Sequence, residues 1–183
     1  MPNDYLILGI DPSCKDSAYC FCTADLKPLA FDKVLNKDFI NTVNEEMRKH
    51  LKDGMTLKVA IEDMENFGSP VGRTTFDTLK FVGRIDYWFE LEGIDAQMIF
   101  RHEERMTICH SPRANDAIVK QALIDRFAPY TSNYGKGTKK EPGFFYGFRA
   151  DVWMAFAVAV TYHDKYLCKE ETADDLHLED LPF

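Results

Sequence analysis

Residues 152–160, VWMAFAVAV, are apolar throughout. A surface helix shows an apolar stripe opposite a polar face, and a half-buried strand alternates between the two. A segment that is apolar all round has to be covered on every side. Ala150 and Asp151 open it, alanine recurs within it, and it continues to Tyr162 and Asp164. It therefore reads as a buried helix, and the rest of the chain has to enclose it.

The preceding residues supply candidate walls. Residues 5–11, YLILGID, form an apolar run stopped by Gly-x-Asp-Pro, a buried strand with a sharp end. Residues 18–24 and 29–35 read as two more strands. Phe39, Val43, Met47 and Leu51 recur every fourth residue, which predicts an amphipathic helix over 38–51, ended by Asp53-Gly54. Residues 57–62, LKVAIE, are a strand. Phe76, Leu79, Val82, Ile85 and Phe89 predict a helix over 74–91, and Gly83 within it implies close packing against a neighbour. Residues 96–100 are a fifth strand. Ile118, Val119, Ala122, Leu123 and Phe127 give another amphipathic helix over 115–127. There is no repeat and no linker between halves. The pattern is one α/β domain over residues 1–168, a mixed five-stranded sheet flanked by helices.

Composition narrows the class. The chain has 183 residues, of which 45% are hydrophobic and 28% charged, too apolar for a disordered protein. No run of about 18 apolar residues is present, so a membrane-spanning segment is not expected. The opening Met1-Pro2-Asn3-Asp4 has no basic, apolar leader pattern, so a cytoplasmic location is expected. The five cysteines (Cys14, Cys20, Cys22, Cys109, Cys168) match neither a disulfide framework nor a CxxC zinc pair.

The formal charge of −8 argues against a general nucleic-acid coat, but its distribution matters more. Residues 169–183 hold six acids and one Lys, which reads as a disordered acidic tail. Residues 130–150 hold Lys136, Lys139, Lys140 and Arg149 against Glu141 alone, among glycines and aromatics. This reads as a long basic, aromatic loop suited to a polyanion with stackable bases. The plainer alternative is a flexible surface loop.

Three acids stand at the ends of apolar elements: Asp11 closes the first strand, Glu62 the fourth, and Asp151 opens the last helix. Each alone is explained by capping or solvation. Together, at the rim of one core, three unpaired carboxylates would cost several kcal/mol to bury. A bound cation resolves this. Hard divalent ions take carboxylate oxygens, and two of them about 4 Å apart activate a water and stabilise the leaving oxygen of a phosphodiester.

The local sequences around these acids resemble the RuvC family of Holliday-junction resolvases. LILGIDPS at residues 6–13, followed by Ser17-Ala18-Tyr19, is similar to the family's opening strand and hairpin. VAIEDM at 59–64 resembles its second carboxylate strand, and Gly83 the glycine-containing helix that follows. ANDAIVKQAL at 114–123 is similar to the helix before the last carboxylate. Ala150-Asp151 with the alanine-rich run 155–161 resembles the final helix. The resemblance spans roughly residues 5–165 and is to the divergent bacteriophage and viral members. It implies an RNase H-like fold, a homodimer, dependence on Mg²⁺ or Mn²⁺, and endonucleolytic cleavage of four-way DNA junctions in recombination and repair. It implies Asp11, Glu62 and Asp151 as catalytic metal ligands.

One departure stands out. The family's last helix carries two aspartates three residues apart; here Met154 takes the second place, and a thioether does not usefully ligate Mg²⁺. Asp63 next to Glu62 should point to the opposite sheet face. Asp116 and Asp16 enter only if loops bring them in. For DNA contacts, Lys136, Lys139, Lys140 and Arg149 are expected to rim the site, with Arg73 flanking the next helix and Phe67 poised against an unstacked base.

Other readings are an RNase H-like nuclease acting on RNA–DNA hybrids or flaps, and a catalytically weakened DNA-binding module. An actin-like ATPase is argued against by the single domain without a second phosphate turn. The terminal Asp180-Leu181-Pro182-Phe183 resembles the C-terminal tip of bacterial single-stranded-DNA-binding proteins, which implies a replication or repair protein as partner.

Overall fold

The computed structural model describes residues 5–65, 68 and 70–168; Phe67 and the acidic tail of residues 169–183 lie outside the described residues. Five strands, β1 (Tyr5–Asp11), β2 (Asp16–Thr23), β3 (Pro28–Leu35), β4 (Thr56–Asp63) and β5 (Ala96–Phe100), form one sheet in the order β3-β2-β1-β4-β5. β1, β2 and β3 pair antiparallel, while β1–β4 and β4–β5 pair parallel. Parallel neighbours need crossovers, and α1 (Asn36–His50) and α2 (Arg73–Leu91) provide them. Three more helices follow: α3 (Arg101–Cys109), α4 (Asp116–Phe127) and α5 (Val152–Tyr162).

The sheet is covered on both faces, which is why its central strands are continuously apolar instead of alternating. On one side Leu8, Ile10, Tyr19, Phe21, Val59 and Ile61 pack with α1 and α2. On the other, Ile7, Ala18, Cys20, Ala60 and Ile99 pack with α4 and α5. Every residue of α5 is buried, as its composition requires. α5 lies directly on β1, whose Gly9 faces the α5 backbone at Ala155 and Ala159. Among the described residues no helix is long and apolar enough to cross a membrane.

Three sequence expectations need correction. First, α2 buries Phe81, Val82, Ile85 and Phe89, whereas Phe76 and Leu79 are exposed. α2 has two apolar faces, and a spacing of three or four drifts from one to the other. Second, Gly83 does not pack within the chain: a Cβ there would meet nothing within 4 Å. Third, residues 130–150 are neither a free loop nor a row of stacking aromatics. Phe145 and Phe148 are fully buried against Trp153 and Phe156. The segment is tied by Gly143 N–H donating to Lys136 O at 2.9 Å and Phe145 N–H to Gly135 O at 3.0 Å. Its outward aromatics are Tyr130, Tyr134 and Tyr146.

Candidate functional site

Side chains alternate across a strand, so Ile7, Gly9 and Asp11 share the face of β1 that meets α5. Ala60 and Glu62 share that face of β4. Asp11 and Glu62 follow directly on the paired residues Ile10 and Ile61, so the two carboxylates stand side by side on neighbouring strands. Asp151 lies at the head of α5, above the same end of the sheet. All three line one cavity of about 620 Å³, with Ser13, Thr75, Thr78, Arg101, Arg105 and Met154 among its other walls. The spacing of the three motifs in the chain thus converges on one site. Asp63, expected on the opposite face, also lines the rim of this cavity; its Oδ1 accepts the Met64 N–H at 2.8 Å, and its charge acts on Asp86 of α2.

Two cations that the sequence reading passed over grip the outer carboxylates. Arg101, the first residue of α3, donates from Nε to Glu62 Oε1 at 2.7 Å and from Nη1 to Asp116 Oδ1 at 3.1 Å. Lys33 of β3 lies 2.6 Å from Asp151 Oδ2 and 3.4 Å from Asp16 Oδ1. The sheet register explains both. Lys33 pairs with Ala18 and Ala18 with Asp11, so lysine, alanine and aspartate form one row, and the small alanine leaves room above it. Glu62 pairs with Ile99, two residues before Arg101. Asp116 is therefore brought in by the start of a helix, not by a loop, and it lines the cavity.

The electrostatics are those of crowded acids. Burial, and then the charge of Glu62, push Asp11 well above the usual carboxylate range; Asp151 adds to this and Arg101 opposes it. Glu62 Oε2 is buried without a hydrogen-bond partner. Glu104 of α3 is also buried, its Oε2 likewise unpartnered, and burial with the nearby charge of Glu62 raises it to about 8. Hard oxygen donors converge on the cavity, and the orphaned Glu62 oxygen gives a divalent cation a ligand atom, so the residues fit such an ion. Met154 is buried in the wall and adds no oxygen.

The basic residues divide by position. Lys136 and Arg149 line a second cavity of about 360 Å³ that shares Asp116, Asp151 and Met154 with the first. Lys120 joins them, its Nζ 4.5 Å from the Tyr134 ring centre and 4.8 Å from that of Trp153. Arg149 donates to Asp32 Oδ1 at 2.6 Å. Lys139 and Lys140 are exposed in the turn closed by the Gly137–Pro142 bridge and line neither cavity. Arg73 extends into solvent at the start of α2, next to Thr74 and Thr75 of the cavity wall, with Asp77 at 3.8 Å.

Elsewhere, His163, Asp164 and Cys168 are the one trio among the described residues whose ligand atoms lie within 4.8 Å of one another. Asp164 there already pairs with Arg126. Burial works against its charge, but hydrogen bonds from His163 and Arg126 hold it down at about 2.

No family model matches the chain, and no curated protein matches it. Solved structures do. Thermus thermophilus RuvC in complex with a Holliday junction substrate superposes with a TM-score of 0.63 at 13% identity, covering 91% of this chain and 96% of that one. A second Thermus thermophilus RuvC structure gives 0.58 at 12% identity, covering 91% and 97%. At 12–13% identity over 91% of the chain, with a mixed five-stranded sheet flanked by helices, the chain has the RNase H-like fold of the Holliday junction resolvase RuvC in a highly divergent sequence.

Proposed function

We propose that the chain is a metal-dependent, structure-selective endodeoxyribonuclease that resolves Holliday junctions or other branched DNA by phosphodiester hydrolysis. The observation that carries this reading is the convergence of Asp11, Glu62 and Asp151 on one cavity of a RuvC fold. Bound there, two Mg²⁺ or Mn²⁺ ions would supply an activated water and stabilise the leaving oxygen. The chain's residues do the rest. Asp11, Glu62 and Asp151 would hold the ions, and Lys136 and Arg149 would draw a phosphate toward Asp151. Lys139, Lys140 and Arg73 add longer-range attraction for the DNA backbone.

The test is cleavage of a synthetic four-way junction by the purified chain with Mg²⁺ or Mn²⁺, beside duplex, flap and RNA–DNA hybrid. Paired nicks across the junction are the expected result. Faster cleavage of flap or hybrid identifies a different RNase H-like nuclease. Junction binding without cleavage in either metal identifies the weakened DNA-binding module that Met154 favours.

The outer face of α2 supports a homodimer. Phe76, Tyr87 and Leu91 are 54%, 59% and 68% exposed, and with Leu79 they form a stripe centred on the open Gly83. In an antiparallel self-pairing about Gly83, residues equidistant from it face each other. Leu79 then meets Tyr87, and Lys80 meets Asp86, whose neighbours Glu90, Asp95 and Asp63 are all acidic. A glycine at the crossing permits close approach of the helices. Tyr87→Glu is expected to convert a dimer into a monomer by light scattering and to uncouple the two nicks. A wild-type chain that is monomeric at working concentration refutes the dimer.

A further inference from the structure

We propose that Arg101 and Lys33 are two-position counter-cations: each holds one outer carboxylate of the cavity, Glu62 or Asp151, and moves to a second carboxylate when a divalent ion binds. The inference rests on the reading of the cavity as a divalent-cation site and concerns how that site is kept without its ion.

Among the described residues, no three of the cavity's carboxylates bring oxygen atoms within 4.8 Å of one another. The two cations account for this. Arg101 holds Glu62 from the β5–α3 side, and Lys33 holds Asp151 from the β3 side. Asp11 lies between them. A divalent cation taken up by these acids would have to draw Glu62 and Asp151 toward Asp11, against both ion pairs.

Each cation already touches its alternative partner, Asp116 for Arg101 and Asp16 for Lys33. Release therefore exchanges one carboxylate for another and leaves no cation unpaired in a partly buried place, which would otherwise be costly. Neither side chain is locked in the core: Arg101 is 34% and Lys33 25% exposed. A divalent ion concentrates twice the charge of either side chain at oxygen-coordination distance, so it wins the exchange once bound. Without it, the cations keep the acids apart and paired.

Mn²⁺ binding to the full-length, DNA-free chain tests this by isothermal calorimetry. Removing a competitor should tighten binding, by about tenfold for Arg101→Gln given the strength of a charge-assisted hydrogen bond; Lys33→Gln should shift it the same way. Asp16→Asn deprives Lys33 of its second position and should weaken Mn²⁺ binding several-fold, and the effect should vanish in the Lys33→Gln background. A structural tie that merely orients Glu62 predicts the reverse for Arg101→Gln. If the wild type binds Mn²⁺ and Arg101→Gln binds equally or more weakly, the exchange is wrong while the cation site stands. If Asp16→Asn acts identically with and without Lys33, the lysine half is wrong. If neither wild type nor variants bind Mn²⁺, both the exchange and the cation-site reading fall. Variants are compared only where far-ultraviolet circular dichroism matches the wild type; should Arg101→Gln not fold, Arg101→Lys, which loses the paired geometry but keeps the charge, should tighten binding by a smaller factor.

Discussion

Asp11→Asn is expected to lower junction cleavage on the order of a thousandfold or more while leaving junction binding intact. Asp11 stands beside Glu62 on the neighbouring strand and shares the cavity with Asp151. A carboxylate that holds catalytic ions is worth several kcal/mol of transition-state stabilisation, and each 1.4 kcal/mol is about tenfold in rate. Binding survives because it rests on phosphate contacts to Lys and Arg, and removing a negative charge near the scissile phosphate does not weaken those. The same substitution has a second, opposite effect. Burial and the charges of Glu62 and Asp151 raise Asp11 well above its usual range, so the folded chain disfavours its ionised form. A group raised on folding contributes stability below its unfolded value and loses that contribution as pH rises through the folded value. In metal-free buffer the wild type should therefore lose thermal stability relative to Asp11→Asn as pH climbs through that window, and the variant should melt higher at its upper end. Lower activity with higher stability is the signature of a strained active site. A variant that cleaves at the wild-type rate misassigns the site, and one that melts lower throughout contradicts the electrostatic account.

The strands and the acids that end them were legible because their signals are local. Asp11 and Glu62 each close an apolar run, and strand parity sets Glu62 on the face of Ala60 that meets α5. α5 was legible from its uniform apolarity. What escaped depends on pairings between distant segments. Lys33 and Arg101 look like ordinary strand-end and helix-start cations until the register sets Lys33 beside Ala18 and Glu62 beside Ile99. α3, RHEERMTIC, has no apolar period because its buried residues are Glu103 and Glu104. Glu103 is paired with Lys165 and Tyr166 from beyond α5, a contact that no local pattern encodes. Phe145 and Phe148 were misread for the same reason. They fill the space between Trp153 and Phe156 without belonging to any periodic element, so a glycine-rich aromatic segment resembled a binding loop. The outer stripe of α2 escaped because it is interleaved with the buried one at nearly the same spacing.

Gly9→Ala is expected to lower stability by about 3 kcal/mol or more, the top of the range for overpacking a close-packed core. Gly9 sits mid-strand on β1, where glycine is normally a weak choice. Its φ is not in the left-handed region, so conformational freedom does not explain it; proximity does. A Cβ at Gly9 would stand 2.1 Å from Ala155 O and 2.7 Å from Ala159 N, both backbone atoms of α5, and 2.9 Å from Ala159 Cβ. A flexible side chain turns away from such a clash, but a helix backbone moves as a unit. α5 would have to lift from the sheet, opening the core that encloses every one of its side chains. The lift would also reach the site. Asp151 heads the displaced helix and Asp11 is two residues along the strand from Gly9 on the same face, so the separation of two candidate metal ligands depends on this contact. Gly83→Ala is the matched control: its Cβ enters open space within the chain, and alanine favours a helix over glycine by roughly 1 kcal/mol. Thermal unfolding of the two variants should therefore move in opposite directions from the wild type, provided that Gly83 is measured at concentrations where the chain is monomeric. A Gly9→Ala chain as stable as the wild type would mean that β1 and α5 do not make this close approach.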